Sequence, residues 1–498
     1  MSAGLAPLYD AAEMRALDAR ATADLGLPGA VLMERAGLAA AVELRARHPA
    51  AGTVAVVCGT GNNGGDGLVL ARHLHAAGVG VSCVFPGDPA RMRGDAAGNR
   101  DIAARLGVPI AGGIAAAALT RRLRGADVVV DALLGTGAAG APRPPLDAAI
   151  AAIDRCGRPV VALDVPSGVD ASTGEVPGAA PHAGLTVAFH APKVGLVVAP
   201  GRHHTGELVV TDIGIPAMLE LPTVVWLAGD SVLAAVPPRL PWATKYTAGS
   251  VLVVGGSAGY AGAPLLAATA ALRSGAGIVW AAVSADVCDQ LAGLRAEVMV
   301  RPLPDGLEQA TRAGAVAIGP GLGTSRAAAE LAGRVALEHP GPVVVDADAL
   351  RAVSGRRLRG LSSRRVPALL TPHEGEMGRL LERDAAWVAA HRLAAVRTAA
   401  RRSGAVVLLK GPDTLVAAAG GDRVAVVSTS VPGLATAGSG DVLTGVAAAL
   451  LARGLDPFTA AVAAAVAHGR AGAIATGRVG TTGIIAGDVI DALPAALS

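Results

Sequence analysis

The sequence predicts an α/β protein of two domains, each a parallel β-sheet covered by helices on both faces. Three observations predict it. Short β-branched runs alternate with longer Ala/Leu/Arg stretches along the chain. The runs are apolar through their middles, with polar residues mostly at their ends, as strands buried on both faces read. The alternation breaks between about 213 and 240, where Pro216, Pro222, Pro237, Pro238 and Pro241 cluster around one short apolar run. Such a break reads as a connection between domains, dividing the chain into 1–225 and 226–498.

In the first half, strands are expected at 53–58, 79–85, 127–131 and 160–164. Each ends in, or is followed directly by, Gly, Pro or Asp. In the second half, the corresponding runs are 250–254, 278–283, 316–318, 343–346 and 406–410. No self-similar period recurs, which excludes solenoids and propellers.

Composition excludes other classes. With 498 residues, 52% of them hydrophobic and 17% charged, the chain buries ample core and is not disordered. Its four cysteines, at 58, 83, 156 and 288, form no CxxC pair, which argues against a zinc knuckle or a disulfide framework. Apolar stretches are interrupted by Arg, Asp or Pro before the roughly 18 residues of a membrane span accumulate. The N-terminus meets Asp10 and Glu13 instead of a basic leader and an apolar segment. A cytoplasmic protein with no membrane partner is expected. The 43 basic and 40 acidic residues are interspersed, and four Trp, three Tyr and three Phe leave little for stacking bases, so no nucleic-acid partner is expected. Only three of the basic residues are Lys, at 193, 245 and 410. In a chain so biased towards Arg, a Lys marks a place for a compact ammonium.

After the run 53–58 comes Gly59-Thr60-Gly61-Asn62-Asn63-Gly64-Gly65-Asp66-Gly67, then a helical pattern. Glycines there allow a tight strand-to-helix turn and close approach of a pyrophosphate to the helix N-terminus. GxGxxG alone is a weak signal. A plain dinucleotide turn has no need of Asn62, Asn63 and Asp66, whose amides and carboxylate point to ligand or cation recognition. Asp131 leads into a second glycine loop, Gly135-Thr136-Gly137-Ala138-Ala139-Gly140-Ala141, and Asp164 leads into Val165-Pro166-Ser167-Gly168. Ligands bind at the carboxyl ends of parallel strands, so these side chains are expected to converge. Oxygen donors without His or Cys suit a hard cation and not zinc. For any one of them, a helix cap or turn acid is the plainer reading.

These segments, with FHAPKVGL at 189–196 and TDIGIP at 211–216, closely resemble the NAD(P)H-hydrate epimerases over about residues 8–220. The resemblance implies an N-terminal Rossmann-like three-layer αβα domain. It implies that residues 62–66 and 135–141 bind the hydrated dinucleotide, and that Asp164 stands beside the reacting ring. It also implies a potassium ion held by Asn63, Asp131 and Ser167. A carboxylate in a semi-enclosed cleft can be tuned towards neutrality, and Asp164 is expected to act as acid or base on the R and S hydrates.

The second half has no GxxxxGK[ST], which excludes a P-loop. Instead, Thr436-Ala437-Gly438-Ser439-Gly440-Asp441 precedes a helical pattern. Gly438, Ser439 and Gly440 offer backbone N–H groups to an anion, and Asp441 can take the proton of an attacking hydroxyl. The plainer reading makes Asp441 a helix cap. AIGPGLG at 317–323, VVDADAL at 344–350, LLTPHEGEMGRL at 369–380 and VVLLKGPDTLV at 406–416 complete an ordered series. That series resembles the ribokinase-like NAD(P)H-hydrate dehydratases over about residues 230–495. The resemblance implies ADP, with Mg2+, as co-substrate, and AMP and phosphate as products. It places Lys410, Gly411, Pro412, Asp413, Thr414 and Gly440 on the nucleotide, and Ala263, Gly323, His373 and Asp441 on the hydrate. Asp441 is the expected general base.

The expected function is therefore bifunctional repair of NADH and NADPH hydrates, by a homo-oligomer. The alternative is a ribokinase-like kinase of a small metabolite fused to a non-catalytic dinucleotide-binding module. His73, His75, His203 and His204 lack partner ligands at fixed spacing and are expected at the surface.

Overall fold

A computed structural model describes residues 4–429 and 431–498. Backbone contacts divide them into Pro7–Thr223 and a second unit, Val224–Ser498 together with the N-terminal residues up to Ala6. This differs from a division at 225 at both edges. The strand β1 (Leu5–Leu8) neighbours β9 (Val225–Ala228) in the second unit's sheet, and the Gly229 N–H donates to the Gly4 carbonyl (2.9 Å).

The first unit carries seven strands: β2 (Thr53–Cys58), β3 (Gly80–Val84), β4 (Ile110–Ala111), β5 (Val128–Ala132), β6 (Val160–Leu163), β7 (Leu185–Phe189) and β8 (Glu207–Thr211). Their order is β4-β3-β2-β5-β6-β7-β8, and every pairing is parallel. Alternate residues fill two cores. Val54, Val56, Val128 and Val130 pack on one face, and Ala55, Val57, Val129 and Ala162 on the other. Burial on both faces is why these strands read as unbroken apolar runs. In register, Val57 lies beside Asp131 and Asp131 beside Ala162, which sets Asp131 at the carboxyl edge of the sheet.

The second unit's sheet has the order β1-β9-β18-β17-β16-β15-β14-β13-β10-β11-β12. Its remaining strands are β10 (Ser250–Val254), β11 (Ile278–Val283), β12 (Val298–Pro302), β13 (Ala315–Ile318), β14 (Val343–Val345), β15 (Leu369–Leu370), β16 (Val406–Leu409), β17 (Thr414–Ala417) and β18 (Val424–Val427). It is not purely parallel as the sequence predicts, because β17 runs antiparallel to β16 and β18. Only the short turn at residues 410–413 separates β16 from β17, and a short link cannot make a parallel crossover.

The helices Gly262–Arg273, Ser439–Ala452 and Pro457–Val479 pack on this sheet through small residues. At Gly445 a Cβ would stand 2.0 Å from the Ala267 carbonyl oxygen, so only glycine permits that approach of two helices. The helix Pro457–Val479 is long and apolar enough to span a membrane by composition, contrary to the expectation of interrupted stretches. It serves as a core helix here, with 78% of its apolar window buried.

Candidate functional site

In the first unit the carboxyl ends of β2, β5 and β6 open onto a cavity of about 770 Å³. The turn after β2 is tight because Gly64 lies over Gly59, where a Cβ would come within 1.9 Å of the Gly59 carbonyl oxygen. Asn62, Asn63 and Asp66 lie in the first turns of the helix Asn62–Ala76, with Gly61 as its N-cap, and not in the preceding loop where the sequence reading put them. All three line the cavity, as do Gly135, Thr136, Gly137, Ala138 and Asp164. Gly64 and Gly65 do not, since one faces backbone and the other the Met33 sulfur. Ala139, Gly140 and Ala141 also lie outside the wall, further along the loop.

Asp164 follows β6 in a left-handed conformation (φ 64°), a strain held by its N–H bond to the Val187 carbonyl (2.8 Å). Its Oδ1 accepts from Lys193 Nζ at 2.6 Å, and its Oδ2 accepts from the Thr136 N–H (3.1 Å) and from the Thr136 hydroxyl. Lys193 is 1% exposed and also donates to the Phe189 carbonyl (2.7 Å). Burial favours the neutral acid, but the Lys193 ammonium and the Thr136 donors outweigh it and hold Asp164 below the usual carboxylate range. The expectation of a carboxyl tuned towards neutrality is therefore corrected: Asp164 is an anion.

Asp66 is driven the opposite way. Burial, then the negative charges of Asp164 and Asp18, push it well above the usual range, against the pull of Lys193.

Asp131 and Ser167 lie beneath this wall. Asp131 is fully buried and accepts from the Ser167 hydroxyl (2.7 Å), the Ser167 N–H (2.8 Å) and the Leu133 N–H (3.3 Å). Burial outweighs these donors and raises its pKa. Asn63 donates to the Leu134 carbonyl (2.9 Å) and leaves its buried Oδ1 without a hydrogen-bond partner. An orphaned amide oxygen and a buried carboxylate without a cationic partner fit a hard cation.

The second unit brings a different set together. Lys410 directly follows β16, and its Nζ lies 2.9 Å from Asp346 Oδ1 and 3.8 Å from Glu376 Oε2. Asp346 follows β14, is 1% exposed, and its Oδ2 accepts from the Thr444 hydroxyl (2.6 Å). Burial disfavours both charges, but the pairing wins, raising Lys410 and lowering Asp346. Asp441 is pushed up to about 7, by burial first and then by the charge of Asp346, with Lys410 opposing. Asp441 is not a cap. Gly438 (φ 85°) is the N-cap of the helix Ser439–Ala452, and Asp441 lies in its first turn. The Ser439 N–H donates to the Thr436 carbonyl at 3.4 Å, which leaves Gly438 and Gly440 as the better donors of the expected anion site.

Other expected contacts divide. His373 caps the helix Glu374–Leu381 through Nδ1, which accepts from the Gly375 N–H (3.0 Å), while its ring is 55% exposed. The Gly323 N–H donates to Asp348 (2.9 Å), but it is Gly321 whose added Cβ would reach Ala263 (3.2 Å). Gly411 and Pro412 are exposed and Thr414 opens β17. Asp413 is fully buried, with its carboxylate 3.3 Å from Arg392 Nε. Lys245 is an exposed residue 5.5 Å from the Tyr246 ring centre and belongs to neither site. Among the described residues no group of three His, Cys, Asp or Glu forms a metal cluster. His73 is half-buried against Glu34 (2.7 Å) and His204 against the Pro181 carbonyl (3.1 Å), more enclosed than expected.

Residues 29–195 match the family described as YjeF-related protein N-terminus, and residues 251–495 match NAD(P)H-hydrate dehydratase. The Bifunctional NAD(P)H-hydrate repair enzyme Nnr of Moorella thermoacetica is 42% identical over 515 residues, covering 98% of this chain and 96% of that protein. The chain belongs to the bifunctional NAD(P)H-hydrate repair enzyme family. The member from Salinibacter ruber is 38% identical, covering 98% and 95% of the two chains. A solved ADP/ATP-dependent NAD(P)H-hydrate dehydratase from Bacillus subtilis, co-crystallised with ATP and Mg2+, is 29% identical with a TM-score of 0.49, covering 54% of this chain and 95% of that one.

Within this family frame, Lys193, Asp346, Glu376 and Thr444 are the site residues the sequence reading left without a role. The scarcity of Lys was the signal for Lys193, and Asp346 and Glu376 sit inside recognised segments. Thr444 carried none.

Proposed function

We propose that the chain repairs hydrated NADH and NADPH in two steps, with the R and S hydrates interconverted in the first unit and the S form dehydrated at the expense of ADP in the second. One observation carries the reading: each unit sets reactive carboxyls around a buried ammonium at the carboxyl ends of its parallel strands, Asp164 with Lys193 and Asp441 with Asp346 and Lys410. The family membership supports the same division.

In the second unit, Asp441 takes the proton of the hydrate hydroxyl as its oxygen bonds to the β-phosphorus of ADP. The bond from that phosphorus to the AMP oxygen breaks, and AMP leaves. Lys410 and the N–H groups of Gly438 and Gly440 stabilise the charge on the transferred phosphoryl group. Phosphate then departs with the carbon–oxygen bond, a neighbouring carbon loses its proton, and the ring double bond returns.

In the first unit, Asp164 serves as an anionic base oriented by Lys193 and Thr136. Asn63, Asp131 and Ser167 would hold a potassium ion, which would supply positive charge near the dinucleotide. The protein acts in the cytoplasm, in keeping with four unpaired cysteines. It acts as a homo-oligomer, in keeping with exposed Val31, Leu38 and Val42 on the helix Gly29–Arg47.

The test mixes the full chain with both hydrate epimers and ADP, following restored NADH by absorbance and the epimers by chromatography. Consumption of both, with AMP and phosphate formed, is expected. A stranded R epimer removes the epimerase step, and ATP-dependent phosphorylation of a small alcohol without NADH formation replaces repair with an ordinary kinase.

A further inference from the structure

The first unit's cavity holds more acid than its established anion requires. Asp164 has two dedicated donors, Lys193 and Thr136. Asp66 has none. It is 9% exposed, its carboxyl lines the same cavity, and no described residue donates a hydrogen bond to it. The helix Ala11–Leu25 brings Asp18 and Arg15 to this wall, and the helix Gly94–Arg105 brings Asp95. Glu34, on the helix packed against Asn62–Ala76, is taken by Arg72 and His73. Lys193 is already committed to Asp164 and the Phe189 carbonyl. A buried carboxyl without a donor, beside a carboxylate that has claimed the local ammonium, is stable only when it carries its own proton. Two carboxyls held in opposite protonation states divide acid from base.

We propose that Asp66 is the general acid of hydrate epimerisation and the partner of Asp164, an inference that rests on the epimerase reading of this unit. The hydrate bears its hydroxyl on a ring carbon next to the ring nitrogen. Asp66 gives its proton to that hydroxyl as the carbon–oxygen bond breaks; water leaves with the bonding pair, and the nitrogen lone pair forms a carbon–nitrogen double bond. Water then adds to the other face of that carbon, the nitrogen regains its lone pair, and Asp164 takes the proton that the added water loses. The proton returns from Asp164 to Asp66 through cavity water between turnovers, so each inversion consumes nothing. No oxidant or reductant is needed.

The experiment follows equilibration of purified hydrate epimers by the full chain without ADP, in ordinary water and in water enriched in 18O, over a range of pH. Asp66→Asn keeps the shape and the neutral charge and removes only the proton. It is expected to bind hydrate within about twofold of the parent and to invert it at least about a hundredfold more slowly. In the parent, the rate is expected to fall as pH rises through a group well above the ordinary carboxylate range, and the product to carry one 18O per inversion. Asp66→Asn lacks that pH limb. Inversion by Asp66→Asn within threefold of the parent overturns the proposal, as does inversion by the parent without 18O uptake; neither result touches the epimerase reading. A parent that does not equilibrate the epimers overturns that reading and, with it, this one. Loss of hydrate binding in Asp66→Asn shifts the decision to the parent's pH limb, whose absence overturns the proposal.

Discussion

Asp441→Asn should abolish the dehydratase and, at alkaline pH, make the unit that contains it more stable. The wild-type carboxyl sits at about 7, raised by burial and then by the charge of Asp346. That is about three units above an ordinary aspartate, and each unit corresponds to about 1.4 kcal/mol. A folded-state acid raised in this way contributes fully below its unfolded pKa near 4, and the contribution is lost as pH climbs through 7. Asparagine is never ionised and escapes the loss. The variant therefore gains about 4 kcal/mol at pH 8 and about 1.5 kcal/mol at pH 5. The assay is urea unfolding read by tryptophan fluorescence, because Trp226, Trp242, Trp280 and Trp387 all lie in the second unit. In parallel, wild-type turnover should fall about tenfold per pH unit below 7, and the variant should lose at least about a hundredfold at pH 8. A variant no more stable at pH 8 than at pH 5, relative to wild type, refutes the reasoning. So does a turnover that is flat across pH 7.

Three further outcomes follow from the two sites. Lys193→Met strands Asp164 as an uncompensated buried charge and should cost about 3–5 kcal/mol of first-unit stability, with epimer interconversion lost, as read by calorimetry and chromatography. Arg392→Met cuts the guanidinium bonds to Glu374 (2.6 Å) and to the Asp413 carbonyl (2.6 Å), so the 410–413 turn loosens; KM for ADP should rise at least about tenfold while kcat falls less, measured by steady-state kinetics. Replacing choline chloride by potassium chloride at equal ionic strength should raise the first unit's melting temperature, and Asp131→Asn should erase the difference.

Much of both sites was legible because glycine and acid residues at strand ends obey local rules. The segment around Gly59 and Gly64 had to be glycine for the chain to turn within contact distance of itself, and that requirement is written in adjacent residues. Asp131, Asp164 and Asp441 each sit where a strand or helix terminus puts them, so the local pattern marked them as candidates and the family resemblance supplied their roles. Their protonation was not legible. Asp164 is an anion only because Lys193 returns to it from 29 residues away, and Lys410 finds Asp346 across 64. Asp413 sits inside a matched nucleotide motif yet turns inward, because Arg392, 21 residues earlier, is buried there to receive it. The two-residue strands at 110–111 and 369–370 were too short to carry a periodic signal.

The edge strand β1 carries a consequence for how the chain is made. It leaves the ribosome first, but its sheet neighbour β9 begins only at Val225. At about 5–20 residues per second, roughly 10–40 s of synthesis separate the two. In chain order the first unit is thus an insertion between a strand and the sheet it completes, not a bead on a string. Splitting the polypeptide at 223 would part β1 from the sheet it edges. The C-terminal fragment would present β9 as a bare edge, open to pairing with another copy of itself.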